Sequence, residues 1–156
     1  DSINGISEYL ENKLDKEATY IVGPGRTTQN FLNRIGVFGT LLGVDVLKDR
    51  KLIGRDVNSR ELDILTRNGL LYIISGIIGG QGFLFGRGNQ QITAEIIQRV
   101  KKENILIIAS TKKIYELPRQ CILIDTGDQK LDNELAGYVK VQTDRNRSFI
   151  IKLEIA

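Results

Sequence analysis

The chain has no histidine, no methionine, no tryptophan, one cysteine and two prolines in 156 residues. Without histidine there is no His general base, no Ser–His or Cys–His nucleophilic pair and no His-ligated metal. The lone thiol, Cys121, excludes an intramolecular disulfide framework and a cysteine-based zinc site, and is expected to pack as a small hydrophobe. No apolar run reaches the ~18 residues of a membrane span. The longest, Leu70 to Ile78, is interrupted by Tyr72, Ser75 and Gly76 and has the length of a strand. The start shows no charged-then-apolar secretory pattern, so the cytoplasm is the expected compartment. Beginning at Asp1 without any Met, the chain reads as a piece of a longer protein that lacks an upstream region.

What is present suits one folded domain over residues 1–156. Hydrophobic residues make up 41% and charged residues 26%, too much apolar content for global disorder. The net charge is +3, and the basic residues are scattered in short pairs such as Lys101-Lys102 and Lys112-Lys113. That is the pattern of solvated helix faces rather than the clustered basic stripe of a nucleic-acid binder. Neither a nucleic acid nor a membrane is expected as a partner.

Hydrophobic spacing orders the elements. Ile3, Ile6, Leu10 and Leu14 predict an amphipathic helix over 3–15. A strand at Ala18 to Val22 runs through Gly23-Pro24-Gly25-Arg26-Thr27-Thr28 into a helix, with Thr27 or Thr28 as its cap. Strands at Leu41 to Leu47 and Leu52 to Val57 predict a hairpin. Asn58 with Glu61 predicts a capping box and a helix through Arg67. A strand follows from Leu70 to Ile78, then a glycine-rich loop over 79–91 and a helix near Thr93 to Lys101. Beyond lie a strand at Ile105 to Ala109, a short helix capped by Thr111, a strand at Cys121 to Ile124 and another short helix. Tyr138 to Thr143 and Ser148 to Ile155 close the chain as a hairpin. The fold class is α+β: a mixed, β-rich sheet with a C-terminal antiparallel hairpin.

Two loops have the composition of ligand sites. In residues 23–28, glycines let main-chain amides approach a ligand and a helix start favours negative charge. Arg26 adds a guanidinium fork, and Thr27 and Thr28 add hydroxyls. The spacing is neither a Walker A loop nor GxGxxG, and a tight strand-to-helix turn explains it equally well. The stretch 79–91 carries five glycines between Gly79 and Gly88, with Phe83, Leu84 and Phe85 between them and Arg87, Asn89, Gln90 and Gln91 after. Apolar surface, a cation and carboxamides together suit a nucleotide. Asp45 sits in an apolar strand, either facing solvent or near a site. Asp125 and Asp128 either touch Mg²⁺ or a ribose, or make a turn in which Asp128 caps a helix.

Four stretches in this order resemble one family: Tyr20 to Thr28, Thr40 to Val46, Gly79 to Gln91 and Asp125 to Asp128. The chain is similar to the C-terminal half of the ATP-NAD kinase family, in its polyphosphate/ATP-dependent branch. The resemblance spans about residues 18–143 and implies the C-terminal part of an NAD kinase/diacylglycerol kinase-like fold. It implies phosphorylation of NAD at the adenosine ribose 2′-hydroxyl, with ATP or polyphosphate as donor and Mg²⁺ or another divalent metal. In that family a Gly-Gly-Asp-Gly-Thr motif of the N-terminal domain supplies the donor loop and the catalytic aspartate, and this sequence lacks it. The chain is then the second part of a two-domain enzyme, with no catalytic residue and no metal ligand of its own. The nucleotide-facing candidates are Gly23, Gly25, Thr27, Thr28, Asp45, Gly80, Gly82, Arg87, Asn89 and Gln90. A homo-oligomer is expected. The alternative is a non-catalytic α/β domain that binds a phosphorylated metabolite for regulation or oligomerisation.

Overall fold

The computed structural model describes residues 2–156. The first amphipathic stretch is α1 (Ser2–Lys13), which buries Ile6 and Leu10. The buried β1 (Thr19–Val22) leads into α2 (Arg26–Arg34). Neither Thr27 nor Thr28 caps α2. Gly25 takes the cap position, and both threonines fall in the first turn.

The hairpin is β2 (Asp45–Lys48) and β3 (Lys51–Gly54), turning through Asp49 and Arg50 at positive φ, as a type I′ turn requires. β2 begins at Asp45, not Leu41. The Asp45 carboxylate bonds back to Thr40 and holds residues 40–44 as a loop.

The capping box at Asn58 and Glu61 opens α3 (Ser59–Leu65). β4 (Leu71–Ser75) ends three residues before the expected Ile78. The glycine-rich stretch contains a strand, β5 (Phe83–Phe85). Then come α4 (Ala94–Gln98), capped by Thr93, and β6 (Ile105–Ile108). Ser110, not Thr111, caps α5 (Thr111–Tyr115). The chain finishes with β7 (Cys121–Ile124), α6 (Gln129–Leu135), β8 (Gly137–Gln142) and β9 (Ser148–Ile155).

The strands form one nine-stranded sheet in the order β3-β2-β1-β4-β6-β8-β9-β7-β5. It is mostly parallel, with antiparallel pairs at β1/β2, β2/β3 and the terminal hairpin β8/β9. The mixed class and the hairpin are therefore both present. Strand alternation splits the core in two. Tyr20, Val22, Leu47, Ile74 and Ile108 pack with α1 and α2 on one face. Ile21, Val46, Ile73 and Ile107 face α3 and α4 on the other. Ile78 also pairs antiparallel with Phe83, which links β5 back to the segment after β4. Leu84, Phe85, Ile122, Ile124 and Leu153, from β5, β7 and β9, belong to this second part of the core. No helix among the described residues is long and apolar enough to cross a membrane.

Candidate functional site

β1 and β4 lie side by side and parallel, and the Gly23 amide donates to the Ile74 carbonyl at 2.8 Å. From β1 the chain passes through α2 to β2 on one side; from β4 it runs to β5, at the far edge on the other. Connections that diverge at neighbouring carboxyl ends mark the usual position of the ligand crevice in open α/β sheets. Gly23-Pro24-Gly25 and Ser75-Gly76 stand at that crevice.

The turn is held from behind. Thr28 is buried, and its hydroxyl donates to the carbonyls of Gly23 at 2.8 Å and Gly25 at 3.0 Å. Gly25 has φ 124° and ψ 167°, a region that side chains other than hydrogen rarely allow. A Cβ there would meet nothing within 4 Å, so the position faces open space. No side chain caps α2, which leaves its leading amides without a side-chain acceptor. Arg26 is exposed beside them and Thr27 is half-buried.

Asp45 is 1% exposed and does not face solvent. Its oxygens accept from the Thr40 amide (2.7 Å), the Thr40 hydroxyl (2.8 Å) and the Asp56 amide (2.9 Å). The Thr40 carbonyl takes the Gln29 amide nitrogen at 2.7 Å, and the next carbonyl, Leu41, takes the Gly25 amide at 2.9 Å. Asp45 therefore reaches the turn through Thr40.

Residues 79–91 are arranged differently. Gly79 and Gly80 are exposed in a tight turn, and Lys113 Nζ donates to the Gly79 carbonyl at 2.7 Å. Gly82 is buried against Leu117, and Gly86 lies on the Asp125 carbonyl with φ 101°. The Arg87 guanidinium is exposed, 4.5 Å over the Phe83 ring. Asn89 is fully buried: its Nδ2 donates to the Leu84 carbonyl at 2.9 Å, and its Oδ1 has no partner. Gln90 is exposed. So Gly23, Gly25, Thr27, Thr28 and Asp45 gather behind one crevice, while Gly80, Gly82, Arg87, Asn89 and Gln90 surround β5. No hydrogen bond among the described residues joins the two sets.

Sequence reasoning passed over three hydroxyl residues at the same end of the sheet. Ser75 ends β4, with its hydroxyl on the Gly76 carbonyl at 2.9 Å. Ser110 caps α5 after β6, and Thr143 follows β8. A small hydroxyl residue at or just after the end of three buried apolar runs was the available signal. Asp128 is a helix cap, accepting from the Leu131 amide at 3.1 Å, and Asp125 is an exposed turn residue. No group of three or more Cys, Asp or Glu among the described residues is placed to hold a metal ion.

The shifted ionisable groups lie away from the crevice. Hydrogen bonds from Arg34 and Arg50 hold the Glu11 carboxyl below its usual range, which ties α1 to α2 and to the β2–β3 turn. Hydrogen bonds from Arg99 and Arg67 do the same for Asp63. Burial pushes the Cys121 thiol up, and its Sγ donates to Glu154 at 3.4 Å, the behaviour of a packed, unreactive cysteine.

A family model for the ATP-NAD kinase C-terminal domain matches residues 15–153. No curated protein and no solved structure gives a significant match.

Proposed function

The chain belongs to the ATP-NAD kinase C-terminal domain family, and from that premise we propose that it is the nucleotide-binding part of an NAD kinase-like enzyme. In the full-length chain that enzyme transfers a phosphoryl group from ATP or polyphosphate to the adenosine ribose 2′-hydroxyl of NAD, giving NADP. The observation that carries this reading is the open, uncapped start of α2 behind Gly25, where the connections leaving β1 and β4 diverge. Free amides at a helix start with glycine in front are suited to a phosphate.

In this proposal the uncapped amides of Arg26 and Thr27 and the Thr27 hydroxyl contact phosphate, and Gly23 and Gly25, whose own amides are taken by the Ile74 and Leu41 carbonyls, leave room for it to approach. Thr28 and Asp45 shape the turn. Gly80, Arg87 and Gln90 line the rest of the dinucleotide, and Gly82 and Asn89 fold that loop from within. Phosphoryl transfer depends on positioning and charge stabilisation, so a chain carrying only part of the apparatus is expected to have little activity alone.

In this reading the protein is cytoplasmic and a homo-oligomer. β8 and β9 both have strands on either side, so the terminal hairpin cannot extend a sheet between subunits. The exposed side chains of Tyr138 and Ile150 make a face contact the alternative.

Calorimetric titration of the intact gene product with NAD, NADP, ATP and a simple diol tests the proposal. Saturable heat with NAD or NADP is expected, and none with the diol. Binding of none of the three nucleotides removes the reading in favour of a regulatory or structural domain.

A further inference from the structure

β6 and β8 pair only at Ile107–Val141 and Ile108–Gln142, although β8 begins at Gly137 and β6 at Ile105. Below those pairs the two strands part and leave a wedge through the sheet. The wedge is a cavity of about 430 Å³, within the roughly 300–1,000 Å³ of small-molecule sites. Its walls are aliphatic, among them Leu84, Ile107, Leu135 and Leu153. It contains none of the ten nucleotide candidates.

Two features point to an occupant. At the apex, Gln142 is 5% exposed, and its Nε2 donates to the carbonyls of Asp144 (2.7 Å) and Arg145 (3.2 Å). Those two acceptors fix the amide's orientation. Its Oε1 is buried as well, so the amide closes the apex without offering a polar atom to the cavity. At the mouth stand Lys13, Lys102 and Lys140 against a single Glu103. None of these lysines makes an ion pair among the described residues. The Tyr9 ring draws two of them together, with Lys13 Nζ 5.4 Å and Lys140 Nζ 5.6 Å from its centroid. Tyr138, Lys140 and Gln142 alternate along β8 and so share one face.

We propose that this wedge is a second binding site, for a small amphipathic anion. Its apolar body fills the aliphatic cavity, and its negative charge meets Lys13, Lys102 and Lys140. The site shares no candidate residue with the α2 turn and stands independently of the nucleotide reading.

1-Anilinonaphthalene-8-sulfonate carries both features: fused apolar rings and one sulfonate. Fluorescence titration of the intact gene product is expected to show saturable one-to-one binding. The double variant Lys13→Glu/Lys140→Glu, on exposed positions, is expected to raise the dissociation constant tenfold or more. Val139→Phe is expected to abolish binding by filling the cavity; if it does not fold, Leu135→Phe takes its place. Near-UV circular dichroism checks that each variant is folded. Neutral N-phenyl-1-naphthylamine is expected to bind the parent and the charge variant alike. Absence of saturable binding overturns the site, and so does indifference of the sulfonate to either change. Competition by saturating NAD overturns its independence and assigns the wedge to the nucleotide.

Discussion

The two glycine-rich segments use the same residue for different physical ends. At Gly25 the backbone lies at φ 124° and a side chain would meet open space. At Gly86 the backbone lies at φ 101° and a side chain would run into the Asp125 carbonyl. The first glycine opens a turn outward; the second lets two main chains touch inside the domain. Glycine density alone does not separate these cases, because both demand the missing Cβ. What separates them is whatever stands in the vacated space. The stretch with more glycines, 79–91, spends Gly82 and Gly86 on packing. The shorter turn at 23–28 leads into the uncapped amides of α2.

Substitution turns this contrast into measurements. Gly86→Ala adds a clash with main chain to a strained dihedral and should cost about 3 kcal/mol or more in urea unfolding. If Gly86→Ala is tolerated, the 79–91 segment is looser than described and the contrast fails. Asp45→Asn places an amide nitrogen against groups that already donate, so a loss of about 2 kcal/mol is expected by the same measurement. Gly25→Ala has only the dihedral to overcome, at about 1–2 kcal/mol. Its larger signature is functional: at least about a tenfold weaker NAD affinity in the intact enzyme, close to 1.4 kcal/mol. A stability loss equal to that of Gly86→Ala would erase the distinction between the two turns.

Arg87→Ala sharpens the functional side. Its guanidinium is exposed over Phe83, so unfolding free energy should change by under about 1 kcal/mol. The dissociation constant for NAD should rise; unchanged affinity takes Arg87 out of the proposed site. The smallest effect concerns the far end of α2. Arg34 and Arg50 lower the Glu11 carboxyl pKa, so the folded state favours its charged form. That contribution is present above the ordinary value of 4.5 and is lost as the pH falls through the lower folded value. The pair is largely solvated, so a shift of a few degrees or less in melting temperature is expected, and Glu11→Gln should flatten it.

Much of the element order was legible from local pattern. The capping box at Asn58 and Glu61, the helix of Ile6 and Leu10 and the alternation of Ile151 and Leu153 each depend on neighbours a few residues away. The misplacements share a cause in longer-range contacts. Leu41 to Val44 reads as strand, but Asp45 ties Thr40 back and forbids it. Thr28 reads as a cap, yet its hydroxyl turns to the Gly23 carbonyl instead. Asn89 reads as a nucleotide-facing carboxamide, but it is buried with its Nδ2 on the Leu84 carbonyl. The wedge between β6 and β8 had no local signature at all, because it exists where two strands 30 residues apart fail to pair.

The order of residues alone determined most of the succession of helices and strands, the lack of histidine-based chemistry and the resemblance to one family. Those depend on composition and on spacing along the chain, which need no partner. Tertiary structure alone decided which glycines face open space, where strand connections diverge and which polar atoms are buried without partners. These are properties of what lies across from a residue, and only the folded chain sets that.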